Sequence, residues 1–123
     1  MEKVRPKLPD ALIEGELKEE ELFQNMVLRP VIKMQHDVLI LRVKSYVVSK
    51  RVMFNVMDKQ KRTLFIEQAF LGDNAFKKEI QGMILGQLDT SEYQLYLNYE
   101  RTMNKRIIQM VRNRMLDSVL QLA

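Results

Sequence analysis

Between Val31 and Val48 the apolar residues fall on two sides of a helical wheel rather than one. At about 100° per residue, Met34, Val38, Leu41 and Val48 line one side. Ile32, Leu39, Ile40, Val43 and Val47, with His36 among them, line the other. Narrow polar stripes separate the two, with Lys33, Asp37 and Lys44 on one flank and Gln35, Arg42 and Tyr46 on the other. A helix apolar on two sides lies at the centre of a domain or is shared with a second subunit. The same region is rich in β-branched residues ("VLILRV", "YVVS", "RVMFNV") that also suit strands. No Gly, Pro or Asn-Gly turn separates these runs, which favours helix through about Val48.

Upstream, a helix is expected from Glu16. Its first turns carry carboxylates, where the helix dipole favours them, and Leu22, Phe23, Met26 and Val27 follow at helical spacing. Pro30 lacks an N–H and predicts a break or kink at Leu28–Arg29. Gln24, Asn25 and Arg29 are expected to satisfy backbone groups freed there. Downstream, Asp58 is a candidate N-cap. Leu64, Phe65, Ala69 and Phe70 or Leu71 form the apolar side of its helix, and Gly72 is a natural stop. Asp73 or Asn74 caps the next helix, and Asp89 with Glu92 reads as a variant capping box. The last helix is expected to run unbroken from about Thr90 to Leu120. Its apolar arc is Tyr93, Tyr96, Tyr99, Met103, Ile107, Met110, Val111 and Met115. The expected fold class is all-α: a bundle of about five helices, with a kink or break at Pro30 and a long C-terminal helix.

The chain has 123 residues, enough for one domain. That domain is expected over 16–123. Residues 1–15, with Pro6, Pro9 and Gly15, read as a flexible tail, or one laid across the body through Leu8, Leu12 and Ile13. The N-terminus has no apolar core of a secretory signal. The longest aliphatic run, Val38–Leu41, is far short of the ~20 residues that span a bilayer, so no membrane role is expected and the default location is the cytoplasm. Charge is uneven along the chain. Residues 1–30 are net −2, residues 31–62 net +6, residues 63–100 net −4 and residues 101–123 net +4. Alternating blocks of opposite sign point to segments that attract one another, within a chain or between chains. They argue less for nucleic acid than one continuous basic stripe would.

Candidate chemistry is sparse. His36 and Asp37 are adjacent, so on a helix they point about 100° apart and do not make one site. The chain has one His and no Cys, so no metal, cofactor or thiol nucleophile is expected. His36 reads as a partly buried core histidine bonded to a neighbour. Glu100, Asn104 and Arg114 fall inside the apolar arc of the last helix, where a buried charge needs a partner; a structural ion pair is the expectation. Gly82 and Gly86 in "GMILG" point to a close helix crossing inside a soluble core. There is no GxGxxG and no Walker lysine. For nucleic acid the candidates are Arg101, Lys105, Arg106 and Arg112 on the last helix. Residues 63–86 also have helix-turn-helix proportions and would offer Lys77, Lys78 and Gln81 to a groove, but Glu67, Asp73 and Glu79 make that region net acidic.

Two blocks carry a resemblance. "FQNMVLRPVIKMQHDVLI" and "GMILGQLDTSEYQLYLNYERTMNKRIIQMVRNR" resemble a small family of all-helical bacterial proteins of about this length. Phe23-Gln24-Asn25, Leu28-Arg29-Pro30, Lys33 and Gln35 match its first block; Gly82, Gly86-Gln87, Tyr93, Asn104 and Arg106 match its second. The resemblance implies an all-helical fold and brings no known activity. Some members are called glyoxalases, but metal-dependent glyoxalases are β-rich and use several His and Glu ligands, which this chain does not offer. The leading expectation is therefore a non-enzymatic helical interaction protein that forms a homodimer or meets another protein. The alternative is a nucleic-acid-binding regulator using the basic C-terminal helix. An enzyme centred on Glu100, Asn104 and His36 would need a pocket that gathers the three.

Overall fold

Asp58, Asp73 and Asp89 each open a helix. Their side chains accept the backbone N–H three residues on: Asp58 from Lys61 at 2.8 Å, Asp73 from Phe76 at 3.1 Å and Asp89 from Glu92 at 2.8 Å. Each bond satisfies one of the N–H groups a helix start leaves without a partner. Glu92 returns the favour by accepting the Asp89 N–H at 2.9 Å, which completes the box.

The structure is a computed structural model that describes residues 19–122. The expectations for the 1–15 tail and for a helix start at Glu16 lie outside those residues. The described chain is helical throughout its regular elements, with no strand. Helix α1 is Glu19–Phe23, followed by a π-helical turn, Gln24–Leu28, then α2, Arg29–Met34, and α3, His36–Ser49. A short 3-10 turn, Phe54–Val56, leads to α4, Lys59–Gly72, and α5, Asn74–Leu85. Helices α6, Thr90–Asn98, and α7, Glu100–Asp117, precede a final 3-10 turn, Val119–Leu122.

Three irregularities revise the expectations. At Pro30 the chain does not break: Leu28 and Arg29 keep helical dihedrals. The anomaly is the π turn just before, where the Arg29 N–H bonds the Gln24 carbonyl, five residues back. Pro30 then falls in the first turn of α2, where its missing N–H is least felt. The true interruption lies at Gln35 (φ −88°, ψ 7°), so the Val31–Val48 helix is two pieces. Gln35 is buried, and its Nε2 donates to the Met83 carbonyl at 3.1 Å, pinning the α2–α3 junction to α5.

The expected Thr90–Leu120 helix is also two pieces, split at Tyr99 (φ −131°, ψ 28°). A straight helix would set Tyr96 and Asn104 about 12 Å apart along its axis. A tyrosine that leans toward its own N-terminus cannot reach that far forward. With the split, the Tyr96 hydroxyl donates to Asn104 Oδ1 at 2.5 Å and Tyr96 is buried. The close crossing expected at "GMILG" is absent. Gly82 is exposed, with nothing within 4 Å of where a Cβ would stand, and Gly86 is simply the C-cap of α5.

The central helix is α7, not the two-faced segment. Met103, Ile107, Val111 and Met115 recur at every fourth residue and are fully buried. Helices α2, α4, α5 and α6 pack around α7, with Ile66 and Phe70 of α4 and Ile80 and Ile84 of α5 in the same core. Helix α3 buries Leu39, Val43 and Val47 and turns its other side out. Arg51, in the left-handed region at φ 55°, ends its run.

Candidate functional site

The π turn matters because of what it holds. Its Gln24 side chain accepts Arg106 Nε of α7 at 2.9 Å, and its Asn25 accepts Arg29 Nε at 3.0 Å. These polar side chains bond arginines; they do not serve the backbone groups expected of them. Beside these bonds lies an open cleft of about 660 Å³ bounded by α2 and α7. Four arginines line it: Arg29, Arg106, Arg112 and Arg114. Ile32 and Met110 give it apolar surface, Gln109 and Asn113 give it amides, and Asp117 and Ser118 lie at the C-terminal end of α7.

Each guanidinium lies against an amide or an imidazole side chain. Arg106 also donates through Nη1 to Gln109 Oε1 at 2.7 Å. Arg112 makes long contacts to Asn113 Oδ1, at 3.3 and 3.4 Å. Arg114 Nη1 lies 3.3 Å from His36 Nδ1. The ion pairs seen among the described residues lie elsewhere, Arg42 with Glu79 at 3.3 Å and Lys50 with Asp73 at 3.6 Å.

The sequence-derived candidates therefore divide. Arg29, Arg106, Arg112 and Arg114 come together in the cleft, with His36 behind Arg114. Glu100 and Asn104 do not join them. They line a separate, smaller cleft of about 490 Å³ with Leu97 and Arg101. The structural ion pair expected among Glu100, Asn104 and Arg114 does not join Glu100 to Arg114: Glu100 is exposed at the start of α7, and Arg114 lies 14 residues on, about 21 Å along the helix. The pocket that would gather Glu100, Asn104 and His36 is likewise absent among the described residues. Asp37 and Lys105 are exposed. Lys77, offered to a groove by the helix-turn-helix reading, bonds the Leu71 carbonyl at 3.1 Å. The sequence gives no role to Gln109 and Asn113, and gives Gln24 a backbone role in place of its bond to Arg106. Their signal was there in part, since Arg106, Gln109, Met110, Asn113 and Asp117 recur at helical spacing along one side of α7.

A second surface is apolar. Val38, Leu41, Ser45 and Val48 follow one another at intervals of three, four and three on the outer side of α3. Leu41 is 66% exposed and Val48 76%. The inner side is held by a polar clamp: the Tyr46 hydroxyl donates to Asp73 Oδ2 at 2.9 Å and its ring packs 4.2 Å from that of Phe76. Burial first, and then Asp73, pushes the Tyr46 phenol up to about 12. The Phe76 N–H first, then the Tyr46 hydroxyl, holds the Asp73 carboxyl below its ordinary value.

Among the described residues no group of three or more His, Asp or Glu could hold a metal ion, and no helix is long and apolar enough to cross a membrane. No family model, curated protein or solved structure matches the chain.

Proposed function

We propose that the protein is a helical interaction protein without catalytic chemistry, and that it pairs with a second copy of itself through the outer side of α3. The observation that carries this is the run Val38, Leu41, Ser45 and Val48, in which Val38 is half-buried and the other three are exposed. Its three-four spacing is that of a seam between two helices, with Ser45 the one small residue among Val38, Leu41 and Val48. An antiparallel pair across a two-fold axis makes the same patch serve both copies. Leu41 of one copy then faces Ser45 of the other, and Val38 faces Val48. Asp37 sits near the N-terminal end of the run and Arg51 just past its C-terminal end, so the antiparallel arrangement sets opposite charges against each other twice. Lys44 lies near the axis and meets its own copy, which opposes the pairing.

The run spans three turns, less than the roughly 800 Å² per partner of a standard interface. Association in the micromolar range is expected. Light scattering on a sizing column tests it. The expected result is a concentration-dependent dimer that Leu41→Glu converts to a monomer with an unchanged helical circular dichroism spectrum. A wild-type chain that stays monomeric up to about 1 mM, or a Leu41→Glu chain that still dimerises, overturns the proposal.

A further inference from the structure

We infer that the α2–α7 cleft is a binding site for a compact ligand carrying two or more phosphate groups. This does not depend on self-association, which uses the outer side of α3. Arginine stays charged at any ordinary pH, and its planar fork matches phosphate oxygens two at a time. Four such forks line one cleft, and no carboxylate of the described residues pairs with any of them. Clustered like charges repel, and an anion seated among them removes that repulsion.

The forks are also held in place. Arg29 is fixed through Nε, Arg106 through Nε and Nη1, and Arg114 through Nη1. In each, at least one terminal nitrogen makes no hydrogen bond within the described chain and is left to donate outward. The acceptors that hold them are amides and an imidazole, so the positive charge is oriented without being neutralised.

Size and boundary select the ligand. A cleft of about 660 Å³ suits a small molecule. A duplex is read by elements that protrude into a groove, which a cleft does not do. The basic stretch of α7 begins at Glu100 and ends at Asp117, which lies in the cleft lining itself, so a bound anion sits toward the arginines and a long polyanion laid along the helix would meet repulsion at both ends. Ile32 and Met110 offer apolar contact for an uncharged part of the ligand.

Isothermal titration calorimetry at low salt tests the site, with inorganic tripolyphosphate, ATP, citrate and a short single-stranded oligothymidylate as probes. Saturable one-to-one binding of tripolyphosphate or ATP is expected, with citrate weaker. Arg112→Gln and Arg29→Gln should each weaken it by about tenfold, the usual worth of one charge-assisted contact. Both residues lie at the cleft rim with only local bonds, and an unchanged thermal melt checks that each variant is folded. No binding of either phosphate probe overturns the inference, and so does undiminished binding by both folded variants. Citrate binding as tightly as tripolyphosphate overturns the phosphate class. The oligonucleotide binding more tightly than either small probe overturns the small-ligand class and favours the nucleic-acid alternative.

Discussion

Arg114 and His36 are 78 residues apart in the chain, and Arg114 Nη1 lies 3.3 Å from His36 Nδ1. A guanidinium can only donate, so Nδ1 of His36 must accept. The neutral ring that does so carries its proton on Nε2. Through this bond the start of α3 props an arginine of the cleft. Nitrogen-15 NMR of the ring should find the Nε2–H tautomer. His36→Leu should lose one partly buried hydrogen bond, about 1 kcal/mol in urea denaturation. A ring protonated on Nδ1 would contradict the contact.

Tyr46 and Asp73 give stability a pH signature at both ends of the scale. The folded-state value of Tyr46 is raised to about 12, above the ordinary ~10 of a phenol. Its contribution is therefore complete below ~10 and is lost as pH rises through about 12. Asp73 is lowered, so its contribution is present above the ordinary ~3.9 and is lost as pH falls through its folded-state value. Denaturation midpoints across pH should show Tyr46→Phe flattening the alkaline loss and Asp73→Asn flattening the acid loss.

The two sides of α3 should answer differently to the same truncation. Leu39 is fully buried, and Leu39→Ala should cost about 2–5 kcal/mol in chemical denaturation of dilute protein. Leu41 points outward, and Leu41→Ala should stay within about 0.5 kcal/mol under the same conditions. Equal costs would contradict an inward Leu39 and an outward Leu41.

Gly82 sits inside α5 with open space around it. Gly82→Ala should therefore stabilise the fold, by up to about 1 kcal/mol, because alanine loses less backbone freedom on becoming helical. Gly86 differs, since a Cβ there would come within 3.0 Å of the Gly82 carbonyl. Gly86→Ala should gain nothing or lose a little. A thermal-melt comparison of the two variants separates these outcomes.

The helix starts were readable from the chain because they are local events. Asp58, Asp73 and Asp89 each bond an N–H three residues away, and no other part of the molecule is needed for that. The buried side of α7 was readable for the same kind of reason, since Met103, Ile107, Val111 and Met115 keep one period on one helix. Pro30 marked the neighbourhood of an irregularity but not its form, because the π turn depends on a carbonyl five residues back being free to accept.

The remaining features were decided between elements far apart in sequence. Nothing near Tyr99 is a helix breaker; the split there is tied to the Tyr96–Asn104 bond and to the Tyr99 hydroxyl reaching Glu19 Oε2 at 2.8 Å. Gln35 interrupts its helix while bonding a carbonyl 48 residues on. Glu100 and Arg114 share an arc on a wheel, yet a wheel discards distance along the axis, so sharing the arc does not bring them within reach of each other. Two of the arginines of the cleft are held by residues far off in the chain, Arg106 by Gln24 and Arg114 by His36, contacts 82 and 78 residues apart. Periodicity along one helix fixes which residues share a side; how two helices dock fixes which sides share a site.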